Sequence, residues 1–314
     1  MTFRVELGDV SATKLPFIVA ADSGIFARNG IAPELFITPT AEAIATGNGF
    51  AIPPALVQTG VVGEINIGGG SGNTIRQITN ATTPRRIILA TNDITAPFHL
   101  YVRGNIQSIA DLKGKRVGYM AHADLTHFQY RALAQRMGWD PELDWSEIHN
   151  VHGIRTADRA GVDAYLFDPT AHEEAMKLGY RDLGDLTAFK IPVFGSGINV
   201  LTSWLSEHRQ EAAAFIRSTV EGVAVVLQDK ATTVAAMEKW YGLTNPKIQD
   251  AIYDFAVRVL RPKPYPFVEG LELLRALFKF RELRIHPNDY FLDPSFVAEL
   301  DRSGFIDSLY AKKS

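Results

Sequence analysis

The sequence predicts an α/β protein of two lobes with a helical C-terminal part. Three observations carry that expectation. At 314 residues the chain is long for a single core and suits two lobes of roughly 100–200 residues each. Through the first two thirds, stretches with the period of a strand alternate with stretches of helical spacing, the pattern of strand–helix–strand units. Beyond Ser206 the apolar spacing is helical.

The elements follow in chain order. Phe3 to Leu7 alternates apolar and polar side chains as a strand does, and Asp9 to Lys14 is a short polar turn. Pro16 to Phe26 has helical spacing with Pro16 suited to a first turn, and Ile31 to Ile37 reads as a second strand. Ala41 to Pro54, with Gly47, Gly49, Pro53 and Pro54, reads as a loop before a short helix over Ala55 to Thr59. Glu64 to Gly68 is a strand running into Gly69-Gly70-Ser71-Gly72 and a helix from about Asn73 to Thr79. Arg86 to Thr91 is apolar enough for a strand buried on both faces.

Phe98 to Val102 begins a new set of strands, continued by Arg116 to Tyr119 and Gly161 to Phe167. Between them lie a turn capped by Ser108, a polar loop at Ala121 to Leu125 and a helix from about Thr126 to Met137. Val193 to Leu201 reads as the return into the first set. Helices are then expected over Glu207–Gln228, Ala231–Trp240, Pro246–Leu260, Val268–Phe280 and Pro294–Leu300. Apolar stripes such as Leu271, Leu274, Leu277 and Phe278 are read as core packing, not cofactor contacts.

Composition narrows the function. Lys plus Arg total 32 against 35 Asp plus Glu, a net charge of −3, and no basic cluster stands out. That argues against a nucleic-acid or anionic-membrane partner. Cysteine is absent, which excludes a Cys nucleophile, Cys-ligated zinc, an iron–sulfur cluster and any disulfide or lipid-bearing Cys. No apolar run reaches about 18 residues, so no membrane insertion is expected. The strand at the start leaves no room for a basic and apolar leader. A periplasmic location is expected if an export signal was trimmed, and a cytoplasmic one if Met1 is the native start.

Several stretches resemble one family. Ile109-Ala110-Asp111-Leu112-Lys113-Gly114-Lys115-Arg116-Val117-Gly118-Tyr119 is similar to the strand that opens its second lobe. Pro16-Phe17, Ala20, Gly24, Phe26 and Gly30-Ile31 resemble its first helix and second strand, and Gly161-Val162-Asp163-Ala164 with Asp168-Pro169 resembles a later strand and helix start. Phe194-Gly195-Ser196-Gly197 and the helix after Glu207 match the return segment. The family is that of the nitrate/sulfonate/taurine and thiamine-precursor (NMT1/THI5-like) substrate-binding proteins, and the likeness spans most of residues 3–245. Asp168-Pro169 in place of Glu-Pro and the Gly- and Pro-rich stretch after Ala41 depart from its pattern.

The resemblance implies the type II periplasmic-binding-protein fold, with two α/β lobes joined by two crossing hinge strands near Thr91–Ala96 and Pro192–Gly197. One lobe is then 1–93 plus 197–314 and the other 96–194. It implies a solute-binding protein that captures a small organic anion (a sulfonate, carboxylate or aromatic acid) for an ABC importer, whose membrane subunits become a partner. No cofactor or metal is expected.

In open α/β sheets, ligands bind beyond the carboxyl ends of strands, where helix starts expose unpaired N–H groups. Four loops qualify. They offer Ser11, Thr13 and Lys14; Gly70 and Ser71; His122 and Thr126; and Asp168, with Asn92 near the hinge as a further candidate. Each has a plainer reading: a helix cap for Ser11 and Thr13, a tight turn for the glycine run, a surface histidine, and for Asp168 a cap or inter-lobe hydrogen bond. The glycine run is neither a P-loop nor a dinucleotide fingerprint. Helix ends contribute about 0.3–1 kcal/mol each, whereas micromolar binding needs about 8 kcal/mol. Apolar burial must supply much of the difference, which favours an organic acid over a bare inorganic anion.

The alternative is a cytosolic enzyme on the same fold, desulfinase-, decarboxylase- or hydrolase-like. The family's desulfinase chemistry uses a cysteine, which this chain lacks. Ser11 or Ser71 with His122 and Asp168 would compose a hydrolytic triad, but no Gly-x-Ser-x-Gly elbow is present.

Overall fold

The computed structural model describes residues 2–95 and 98–311. Among the described residues, ten strands form two sheets of five. The first holds β1 (Thr2–Leu7), β2 (Ala32–Ile37), β3 (Ile65–Gly69) and β4 (Arg86–Thr91), joined by β10 (Ser196–Leu201). Its order is β2-β1-β3-β10-β4. The second holds β5 (His99–Val102), β6 (Arg116–Gly118), β7 (Ser146–Ile148), β8 (Ala164–Phe167) and β9 (Arg181–Asp185) in the order β7-β6-β8-β5-β9.

One strand in each sheet runs against its neighbours on both sides. β10 is antiparallel to β3 and β4, and β5 is antiparallel to β8 and β9. These are the two strands that receive the chain after it changes sheets. A chain that leaves one sheet at a carboxyl end, and enters the other where the carboxyl ends face it, must run antiparallel there. The crossings themselves are hydrogen-bonded: Thr95 bridges Pro192, and the Val193 N–H donates to the Ile94 carbonyl at 2.9 Å. Ala96, the predicted far end of the first crossing, lies outside the described residues.

The helices of the first half are α1 (Leu15–Asp22), α2 (Ile25–Arg28), α3 (Pro39–Gly47), α4 (Gly70–Thr79), α5 (Leu125–Met137), α6 (Ile154–Arg159) and α7 (His172–Lys177). The C-terminal part adds α8 (Thr202–Leu205), α9 (Arg209–Gln228), α10 (Lys230–Tyr241), α11 (Pro246–Val259), α12 (Val268–Leu277), α13 (Arg281–Ile285), α14 (Ser295–Arg302) and α15 (Phe305–Ser308).

α3 corrects the sequence reading, which takes Ala41 to Pro54 as a loop. Thr38 caps this helix by accepting from the Ala41 N–H at 3.2 Å, Pro39 occupies its first position, and Ala41, Ile44 and Ala45 are buried. The helical stretch predicted over Ala55 to Thr59 shrinks to one 3₁₀ turn at Pro54–Leu56. The helix expected from Asn73 starts at Gly70, because Gly70 to Gly72 form its first turn. Two short strands, β7 and β9, are polar edges with no apolar alternation for a sequence pattern to reveal.

Two apolar cores result. The first packs Val5, Leu7, Phe17 and Phe26 against Phe215 and Val223 of α9, with Phe17 and Phe26 stacked on the Phe215 ring. The second is built around Leu100, Tyr101, Tyr130 and Tyr165. It is not confined to its own sheet: Ile44, Ile75 and Ile88 join it from the first sheet's side, and Leu271, Leu274 and Phe278 from the C-terminal part.

Candidate functional site

Between the facing carboxyl ends of the two sheets lies a cavity of about 370 Å³. From the first sheet it is walled by Gly8 and Asp9 after β1, by Gly68 and Gly69 at the end of β3, and by Thr40 and Ile44 of α3. One face of α4 completes that side: Gly72, Ile75, Arg76 and Thr79 recur at helical spacing. From the second sheet come Phe98, Phe167, His152, and the loop Met120 to Leu125 that leads from β6 into α5. The four predicted loops therefore meet at one cleft, the last through Phe167, the neighbour of Asp168.

The lobes touch across this cleft. A Cβ on Gly47 would lie 2.0 Å from the His152 carbonyl, and one on Gly72 would lie 3.4 Å from the Asp124 Cα. Asn48 accepts from the Ile154 N–H at 3.0 Å and so caps α6 from the other lobe.

Among the predicted site residues, His122 lines the cavity. Its ring meets Phe278 and Phe280 edge-on, with centroids at 5.5 and 6.0 Å, and the same ring lines a second, outer cavity of about 500 Å³ beside Trp139. Burial holds its pKa below the ordinary histidine value, and the neighbouring His127 and Arg131 lower it further. Gly70 and Ser71 are buried just behind the wall formed by Gly69 and Gly72.

Ser11, Thr13, Lys14, Asn92 and Asp168 form a buried polar network behind the cleft. Lys14, 1% exposed, is held by Asp9 at 2.5 Å and by the Ser196 hydroxyl at 2.9 Å. Thr13 meets the Ser11 and Ser196 hydroxyls at 2.9 and 2.8 Å, and Asn92 donates to the Thr13 carbonyl at 3.2 Å. Asp168 caps its own turn by accepting from the Thr170 N–H at 3.0 Å, and it accepts from the Ala12 N–H of the other lobe at 2.9 Å. Thr126 hydrogen-bonds the Asp124 carboxylate at 2.7 Å.

The helix starts are not bare. The Gly70 and Ser71 N–H groups donate to the Gly195 and Phe194 carbonyls of the return crossing. Asp124 accepts from the His127 N–H at 2.7 Å and from the Ala121 N–H at 3.1 Å, so the chain's own carboxylate occupies the start of α5. Burial raises the Asp124 pKa, although hydrogen bonds from His127 and Thr126 oppose the shift. The same competition leaves the Asp168 and Asp93 carboxyls at about 6, each dominated by burial. Arg76 is the cavity's only Lys or Arg among the described residues. Sequence reasoning missed it, along with Asn66 and His152. The helical period running from Gly72 through Ile75, Arg76 and Thr79 is the signal that would have found Arg76.

No serine hydroxyl bonds a histidine ring, and no group of three or more His, Asp or Glu side chains could hold a metal ion, among the described residues. No described helix is long and apolar enough to cross a membrane.

Two α/β sheets facing each other across a cavity, joined by two crossing segments, define the type II periplasmic-binding-protein fold. Residues 95–232 match the family described as NMT1/THI5 like. No curated protein matches by sequence. Solved structures agree on the fold. The periplasmic nitrate-binding protein NrtA from Synechocystis PCC 6803 superposes with a TM-score of 0.72 at 12% identity, over 96% of this chain and 88% of that one. The alkanesulfonate-binding protein SsuA from Xanthomonas axonopodis pv. citri, bound to MOPS, gives 0.64 at 14% identity over 91% and 94%. The desulfurization enzyme DSZB gives 0.59 at 15% identity over 96% and 99%.

Proposed function

We propose that this protein captures a small organic anion between its lobes and presents it to an ABC importer on the periplasmic side. In this reading the lobes are 1–93 with 197–314, and 96–194, and they pivot on the paired crossings. The observation that carries it is the shared cavity: a guest that fills it touches both sheets at once and so favours the closed arrangement over the open one. Ile44, Ile75, Leu125 and Phe98 give the guest apolar surface to bury, and Arg76 gives its charge a partner. His122 belongs to the wall as a neutral ring. The nitrate- and alkanesulfonate-binding relatives support an anionic guest, and they share the fold.

Mass spectrometry of molecules released from gently purified protein tests this. An organic anion is expected, and Arg76→Gln should weaken its rebinding about tenfold, the loss of one charge-assisted hydrogen bond. A neutral or cationic occupant would refute the anion. Conversion of the bound compound on long incubation would replace the binder with an enzyme.

A further inference from the structure

The Arg76 guanidinium stands at the cavity wall in the grip of a neutral side chain. Its Nη2 donates to the Asn73 Oδ1, three residues back on the same face of α4. The Asn73 Nδ2 in turn donates to the Asn66 Oδ1 on β3 at 2.6 Å. Asn66 is 8% exposed, and the Asn199 side chain of β10 donates to its carbonyl at 3.2 Å. One end of this chain of amides is thus anchored in the sheet, and the other holds the cation of the cleft.

Gly68 makes room for the chain. A Cβ there would lie 2.8 Å from the Asn66 Oδ1 and 3.4 Å from the Asn73 Nδ2, the two atoms of the linking bond. Gly68 does not have the positive φ that would call for glycine on its own account. Asn73 stands inside α4, where asparagine is a weaker helix former than alanine, so its two hydrogen bonds are its contribution. Arg86, Arg131 and Arg155 are each paired with a glutamate. Arg76 pairs with no Asp or Glu among the described residues, so its guanidinium is oriented while its charge stays uncompensated.

We infer that Asn73 is the positioning residue of the anion contact. Asn66 fixes Asn73, and Asn73 holds the Arg76 guanidinium in place without spending its charge, which is left for the guest's anionic group. An orienting carboxylate would hold the same guanidinium but neutralise it. A guanidinium that is already fixed also loses less side-chain freedom when the guest binds. This inference rests on the solute-binding reading and adds the residues that set the strength of its charge contact.

The test compares methanesulfonate with its neutral analogue methanesulfonamide by isothermal titration calorimetry. Asn73→Ala should melt no lower than the wild type and weaken methanesulfonate about three- to tenfold, the loss of one orienting hydrogen bond, with methanesulfonamide unaffected. In an Arg76→Gln background the same change should have no further effect on methanesulfonate. Asn73→Asp should weaken methanesulfonate at least as much as Asn73→Ala, because the new carboxylate takes the guanidinium's charge. An equal loss for both probes, an undiminished loss in the Arg76→Gln background, or wild-type affinity in Asn73→Asp would overturn the positioning role and leave the solute-binding reading intact. A second readout needs no ligand: phenylglyoxal modification of Arg76, followed by peptide mass spectrometry. Release from Asn73 in Asn73→Ala should speed that modification at least about threefold, the size of one hydrogen bond. If the wild type does not bind methanesulfonate, the solute-binding reading loses support and this rate decides the inference. An unchanged rate would overturn it.

Discussion

Gly47 and Gly153 meet backbone to backbone across the two lobes: a Cβ built on Gly153 would lie 2.5 Å from the Gly47 Cα. Gly153 also adopts a φ of +87°, which disfavours any side chain, so Gly47 is the cleaner position to probe. A methyl there would collide with the His152 carbonyl, and the seam between α3 and the start of α6 could not close as it does. Gly47→Ala should increase the radius of gyration in X-ray scattering and lower stability by about 1–3 kcal/mol. An unchanged scattering curve would mean that the contact is not kept in solution.

Asp93 governs a pH response. It is fully buried, accepts from the Ser196 N–H at 2.8 Å, and has a carboxyl pushed up to about 6 from an ordinary value of 3.8. Between those values the folded chain holds a proton that the unfolded chain has released, so stability falls as pH rises from about 4 to 6 and then levels off. Asp168 adds a second contribution of the same sign. Each carboxylate costs up to about 3 kcal/mol at neutral pH. Asp93→Asn should therefore gain on the wild type as pH rises, by roughly 1–3 kcal/mol at pH 7 and by little at pH 4. Urea unfolding at several pH values measures it, and an offset independent of pH would contradict it.

Lys14 and Asp9 should behave as a coupled pair. Asp9→Asn strips the counter-ion from a lysine that is 1% exposed and leaves it only hydroxyl partners, at a cost of about 3–5 kcal/mol. Adding Lys14→Met to that variant should recover more than half of the loss. A double-mutant cycle in urea reads the coupling, and simple additivity of the two single changes would show that the pair is not linked.

Ser71 and His122 separate scaffold from wall. The Ser71 hydroxyl is fully buried without a partner among the described residues, so Ser71→Ala should hold or raise stability by about 1 kcal/mol. His122→Ala merges the two cavities that its ring divides and should cut the ligand-induced thermal shift while moving the apo melting point little. Thermal denaturation with and without the ligand distinguishes the two. A large drop in the apo melting point of His122→Ala would make this ring part of the scaffold.

Local patterning determined much of this protein. Strand β1 was legible because its burial follows an alternating apolar period, β4 and β8 because they are continuous apolar runs, and the order of the strand-entering motifs carried the two-lobed α/β class. α3 was obscured by glycine and proline, although Thr38-Pro39 is a helix start written in the sequence. β7 and β9 were invisible because edge strands paired on one side need no apolar alternation.

The cleft's chemistry was decided by tertiary structure alone. A helix start looks vacant in a sequence, because the group that fills it sits elsewhere in the chain. Asp168 reaches Ala12 across 156 positions, and the Phe194 and Gly195 carbonyls close the start of α4. Backbone donors near a cleft are satisfied by whatever folding brings first, and burial then leaves the side chains on the cavity's own face, such as Arg76 and Phe98, to meet a guest.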